Sequence, residues 1–93
     1  MGTLHIYIAG HCPVSTYSIE LAREVKLAFP QLSVNVIDLE QPGTRDLPLP
    51  EDLAFTPGYF LDGRPIYWGN PRREELFRTL ERAMNEGELR GLQ

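Results

Sequence analysis

The chain has 93 residues, 42% of them hydrophobic and 24% charged, the proportions of one ordinary globular domain with a modest core rather than of a disordered or fibrous chain. Its formal net charge of -4 sets up a field that opposes loose association with nucleic acid or anionic membranes. No apolar run approaches the roughly 18–20 residues of a membrane span, and the first residues lack the basic and hydrophobic regions of a secretory signal. The expectation is therefore one cytoplasmic domain over residues 1–93, with no nucleic-acid and no membrane partner.

Leu4-His5-Ile6-Tyr7-Ile8-Ala9 is short, rich in β-branched and aromatic residues, and stopped by Gly10, which predicts a strand. Between Pro13 and Phe29 the residues Val14, Leu21, Ala22, Val25, Ala28 and Phe29 recur near helical spacing, and Pro30 ends the segment. Leu32 to Asp38 alternates and carries β-branched residues, giving a second strand. Strand, helix and strand in succession make a βαβ unit, whose crossover is right-handed in nearly all cases.

The stretch from Glu40 to Asp52 holds Pro42, Gly43, Pro48 and Pro50 and reads as a connection, with a short helical turn beginning near Pro50-Glu51-Asp52-Leu53. Next, Tyr59-Phe60-Leu61 and Pro65-Ile66-Tyr67-Trp68 flank Asp62-Gly63. Asp-Gly between apolar runs signals a hairpin, because both central residues of the favoured turn need positive φ. Pro65 belongs at a strand start or edge, where its missing N–H is harmless. Asn70 then suits a helix N-cap and Pro71 the first helical position. Leu76, Phe77, Leu80, Ala83 and Met84 form the stripe of a closing helix. Arg72, Arg73, Glu74, Glu75, Arg78, Glu81 and Arg82 take its solvent faces, with Glu74 and Arg78 spaced to pair. Beyond about Gly87 the tail is expected to fray.

The only cysteine lies in Gly10-His11-Cys12-Pro13-Val14-Ser15, where a strand gives way to a helix. The first N–H groups of a helix point outward unpaired, and their partial positive charge favours thiolate over thiol. Such positions bring a cysteine pKa from about 8.5 to somewhere between 3.5 and 7.5, and His11 would help when protonated. A thiolate there can attack a disulfide and form a mixed disulfide. With one cysteine there is no internal partner to resolve it, and Ser15 cannot do so at a useful rate. Release falls to an outside thiol such as glutathione.

Plainer readings stay open beside this one. A lone cysteine is often a small buried hydrophobe, and a serine in a helix's first turn can satisfy a local backbone group. His11 fits an exposed loop, and His5 a packing or edge position. No metal is expected, since one thiol falls short of a structural zinc set. The sequence offers no Gly-rich phosphate loop and no Ser-His-Asp set.

The order β-α-β, connection, β-hairpin and closing helix resembles the minimal thioredoxin fold, an α/β architecture with a four-stranded mixed sheet covered by helices. The resemblance runs from about Leu4 to Met84. Cys12-Pro13-Val14-Ser15 matches the place and spacing of that superfamily's Cys-Pro-x-Cys or Cys-x-x-Ser box, and Thr56-Pro57 looks like its Thr-Pro with a cis proline. The resemblance implies a catalytic Cys12 with Ser15 hydrogen-bonding the thiolate, and a binding surface made by His11, Pro13, Thr56 and Pro57. On it, the backbone of Thr56 would pair with an extended peptide or with glutathione.

The chain also departs from the pattern. There is no Trp before Cys12, the only Trp being Trp68 in the hairpin. The Cys-Gly-Phe-Ser box of cluster-binding monothiol glutaredoxins is missing, as is a clear glutathione-carboxylate clamp. Ile6-Tyr7-Ile8-Ala9-Gly10 with Pro13 and Ser15 is similar to the opening of KaiB, whose thioredoxin-like fold serves partner binding; that similarity fades after Leu39.

Two functions follow. The first is a protein with at most monothiol activity, exchanging with protein thiols and disulfides or with glutathione, with no resident cofactor and glutathione as co-substrate. The alternative is a non-catalytic binding module for a protein partner, docking through the His11-to-Tyr17 loop, the Thr56-Pro57 turn and exposed aromatics such as Tyr17, Tyr59 or Trp68.

Overall fold

A computed structural model of the chain describes residues 2–10, 13–41, 43, 49–50, 53 and 55–91, with residues 86–91 described through their backbone alone. The alternating residues of β1 (Thr3–Ile8) point Leu4, Ile6 and Ile8 to one face and His5 and Tyr7 to the other. After α1 (Val14–Ala28), β2 (Ser33–Asp38) runs parallel to β1 with Ile6 opposite Val36. The hairpin of β3 (Gly58–Leu61) and β4 (Arg64–Trp68) lies antiparallel on the other side, with Ile6 opposite Tyr59. The sheet order is β2-β1-β3-β4, and α2 (Arg73–Gly91) closes the chain.

Both helices contribute to one core. Leu4, Ile6, Ile8, Val34 and Tyr59 from the sheet meet Leu21, Ala22, Val25 and Phe29 from α1 and the turn after it, together with Leu76 and Leu80 from α2. The opposite sheet face carries rings in edge contact: Tyr7 on Phe60 at 5.4 Å and Phe60 on Trp68 at 5.5 Å.

The hairpin turn follows its sequence signal. Asp62 and Gly63 take φ of 51° and 84°, the left-handed values that a two-residue turn demands. Asp62 is further pinned to the start of β1, its Oδ1 accepting from the Thr3 N–H at 2.8 Å and its own N–H donating to the Thr3 carbonyl at 2.9 Å. Pro65 lies on β4, an edge strand of the sheet, opposite Phe60 and beside a register shift in the ladder, the kind of position in which a missing donor is tolerated. The Leu53 N–H reaches the Pro50 carbonyl at 3.2 Å, while residues 51 and 52 of the expected short turn lie outside the described residues.

The helices depart from the sequence-based expectations at particular positions. The buried face of α1 is Ser15, Ser18, Leu21, Ala22 and Val25, whereas Val14 and Ala28, assigned to the apolar stripe, are exposed. Helical phase explains this: the stripe runs back from Val25 through Ser18 to Ser15, so two serines occupy its N-terminal end. Asn70 and Pro71 do not open α2. The helix starts at Arg73, and its opening backbone bond runs from the Leu76 N–H to the Arg72 carbonyl at 3.0 Å. The backbone of α2 runs on to Gly91, past the Gly87 beyond which the sequence predicts a fraying tail. The charged face of α2 reaches across to α1, with Arg73 Nε donating to Glu24 Oε2 at 3.1 Å. No helix among the described residues is long and apolar enough to cross a membrane.

Candidate functional site

The site is assembled at one end of the sheet. β1 finishes at Ile8 and α1 begins at Val14, and the pairing of Tyr7 with Gly58 brings the Thr56-Pro57 turn to that same end. The Thr56–Pro57 peptide bond is cis, with Thr56 exposed and Pro57 buried. The Pro57 carbonyl accepts from the Gly69 N–H at 2.8 Å, which fixes the turn to the end of β4.

Of the six residues singled out from the sequence, His11 and Cys12 lie outside the described residues. Pro13 stands exposed at the N-cap of α1 with helical φ and ψ of -58° and -30°. Among the described residues no side chain caps α1, and its first turn carries no acidic group. The positive end of the helix therefore meets no carboxylate within its own first turn.

Ser15 is buried and its Oγ donates to the Ala9 carbonyl at 2.7 Å. That bond uses the one hydroxyl proton, tying the first turn of α1 to the chain leaving β1. Next to it, Asp38 at the end of β2 accepts from the Gly10 N–H at 3.0 Å and the Glu40 N–H at 2.9 Å. A Cβ on Gly10 would run into the Asp38 carboxylate, so a side chain there would have to displace the group that accepts from the Gly10 N–H.

Beneath the first turn of α1 lies a polar cluster that the sequence reading did not assemble. Asn70 Nδ2 donates to the Val14 carbonyl at 2.9 Å, while Asn70 Oδ1 accepts from Ser18 Oγ at 2.6 Å and from Tyr59 Oη at 2.6 Å. The available signals were misleading, because Asn70 before Pro71 reads as a helix cap and serines hide within an apolar stripe. Tyr59 is a correction: proposed as an exposed docking aromatic, it is fully buried. Its position opposite Ile6 turns the ring into the core, leaving the hydroxyl to meet Asn70. Tyr17 and Trp68 are partly exposed, as are Val14 and Phe55 at the same end.

Burial pushes the Tyr59 phenol up to about 12, against a smaller lowering by the neighbouring Ser18 hydroxyl. The folded protein thus keeps this proton through a range in which the unfolded chain releases it near pH 10. Stability is unaffected by Tyr59 below pH 10 and falls as pH rises from about 10 through about 12, by on the order of 2–3 kcal/mol when fully developed. Urea unfolding at pH 8 and pH 11 is expected to show a smaller loss for Tyr59→Phe than for the parent. Part of the loss will persist, since burial also raises the Tyr7 phenol.

Among the described residues, no three side chains of the His, Cys, Asp or Glu type gather as a metal site would require. No protein-family model matches the chain and no curated protein matches it significantly. A solved structure does: thioredoxin O2 from Arabidopsis thaliana, in its oxidized state, with a TM-score of 0.67 over 88% of this chain and 74% of that one, at 13% identity. The fold is thioredoxin-like. At that identity the likeness carries the architecture alone, and the thioredoxin-like frame agrees with the expected α/β class and four-stranded mixed sheet. Within this frame, the Pro57 turn and the start of α1 occupy one end of the sheet, held together through Gly69 and Asn70.

Proposed function

We propose that this thioredoxin-like protein acts through Cys12 as a lone nucleophile in monothiol exchange with glutathione and glutathionylated protein thiols. The Cys12 thiolate attacks one sulfur of a glutathione-containing disulfide; a new disulfide forms at Cys12, the old one breaks, and the displaced thiolate leaves. A second glutathione thiolate then attacks the glutathione sulfur of the mixed disulfide, giving glutathione disulfide and restoring the Cys12 thiolate. No resident cofactor takes part, and reliance on external glutathione suits a reducing cytosol.

One observation carries this reading: α1 begins at Val14, directly after Cys12-Pro13, with no capping side chain among the described residues and no acid in its first turn. An uncapped helix N-terminus stabilises a neighbouring anion. The Thr56-Pro57 turn at the same end of the sheet offers a backbone edge for the substrate's chain. Ser15, whose proton goes to Ala9, is assigned to holding the start of α1 rather than to the thiolate.

The test is the pH dependence of Cys12 alkylation by iodoacetamide, with Cys12→Ser as the control and a glutathione-disulfide challenge beside it. An apparent pKa below about 7.5 and glutathione-reversible labelling are expected. A thiol titrating at the ordinary value of about 8.5 would overturn the redox reading. The partly exposed Val14, Tyr17, Phe55 and Trp68 around the same end would then favour a non-catalytic module that docks a protein there.

A further inference from the structure

Two segments far apart in sequence must hold still relative to each other for the Cys12 site to work: the first turn of α1 and the Pro57 turn. The adjoining pair Gly69-Asn70 bonds to both. The Gly69 N–H donates to the Pro57 carbonyl at 2.8 Å, and Asn70 Nδ2 donates to the Val14 carbonyl at 2.9 Å. The orientation of the Asn70 amide is dictated by its partners. A carbonyl can only accept, so the NH2 group must face Val14, and the two hydroxyls of Ser18 and Tyr59 then donate to Oδ1.

This residue type is not explained by α2, which opens at Arg73 with Arg72 as the acceptor of its opening bond. Nor is it explained by apolar packing, since each polar atom of the Asn70 side chain is matched to a partner on another element.

We propose that Asn70 is a positioning residue for the Cys12 site, its side-chain amide clamping the first turn of α1 to β3 and, through Gly69, to the Pro57 turn. The inference rests on the monothiol reading above. A free amide N–H is what the clamp needs at Val14, whereas Ser18 and Tyr59 hold the other end of the amide in place. Loss of the Val14 bond releases the helix terminus from its fixed position, and the thiol loses part of the field that favours its anion.

The experiment compares alkylation pH profiles of Cys12 in the full-length parent, Asn70→Ala, Asn70→Leu and Tyr67→Phe, with circular dichroism confirming that each is folded. Asn70→Leu keeps the size of the side chain, adds no charge and removes the donor to Val14. Tyr67→Phe removes a hydroxyl bonded to the Glu75 carbonyl and Thr79 of α2, away from Asn70, and so controls for stability loss alone. Both Asn70 variants are expected to raise the apparent Cys12 pKa and slow alkylation at pH 7 by roughly three- to tenfold as the thiol moves back toward its ordinary value. Tyr67→Phe is expected to leave the profile in place. A parent with an activated thiol and folded Asn70 variants with an unchanged profile would overturn the clamp while sparing the site. So would an equal shift in Tyr67→Phe, which would mean that general loosening is responsible. An ordinary thiol in the parent would instead overturn the monothiol reading itself. If Asn70→Ala does not fold, Asn70→Leu carries the comparison.

Discussion

On the monothiol exchange proposed above, replacing Ser15 by Cys is expected to convert dependence on an outside thiol into internal resolution of the mixed disulfide. Position 15 lies in the first turn of α1, three residues after Cys12, which is the Cys-x-x-Cys spacing of dithiol exchange sites. In Ser15→Cys loaded with glutathione at Cys12, the new thiolate attacks the Cys12 sulfur, an internal disulfide forms, and the glutathione thiolate departs. An intramolecular thiol acts at an effective concentration of millimolar or more, so release with micromolar external thiol is expected to quicken by more than about tenfold. The cost in the fold is the bond to the Ala9 carbonyl at 2.7 Å, about 1 kcal/mol. Mass spectrometry after a glutathione-disulfide challenge reads the result: one bound glutathione on the parent, none on the variant. A variant that holds glutathione as stably as the parent would show that the two positions cannot reach each other.

The second large effect concerns the fold rather than the chemistry. Leu76→Ala is expected to destabilise the protein by about 2–5 kcal/mol, the range for truncating a leucine in a close-packed core. Leu76 is fully buried on the face of α2 that meets the sheet. Domains of this size have roughly 5–14 kcal/mol in all, so thermal unfolding followed by circular dichroism should show a midpoint lowered by more than about 10 °C. Leu27→Ala is the contrast. That leucine is 80% exposed on α1, and its truncation is expected to fall within about 0.5 kcal/mol of the parent. Comparable losses in both would mean that α2 does not pack where the structure puts it.

The difference between those two leucines also shows how the sequence could be read. Periodicity is a strong signal where side chains are large and apolar, which is why Leu76 and Leu80 were found in place and why Asp62-Gly63 announced its turn. The signal failed where polar residues are buried with a partner. Ser15 and Ser18 complete the inner stripe of α1, but nothing local distinguishes a serine bonded to Ala9 or Asn70 from one facing water. Asn70 is the sharper case, because its neighbour Pro71 makes a cap the natural reading, and its true partners lie 56, 52 and 11 residues away. Tyr59 was misjudged for the same reason: exposure of an aromatic in a hairpin depends on which face the register gives it. Long-range polar pairing has no local period, so this part of the site became visible only with the fold.

The indole of Trp68 is the only one in the chain, and its location gives the protein a built-in optical probe. It stands opposite Gly58, the residue after Pro57, between the rings of Phe60 and Phe55, and is 42% exposed. The next N–H along, that of Gly69, is bonded to the Pro57 carbonyl. Excited at the red edge of its absorption, where tyrosines contribute little, the indole therefore samples the wetness and rigidity of this turn with no dye attached, and a chain laid against Thr56 and Pro57 would change its colour and intensity.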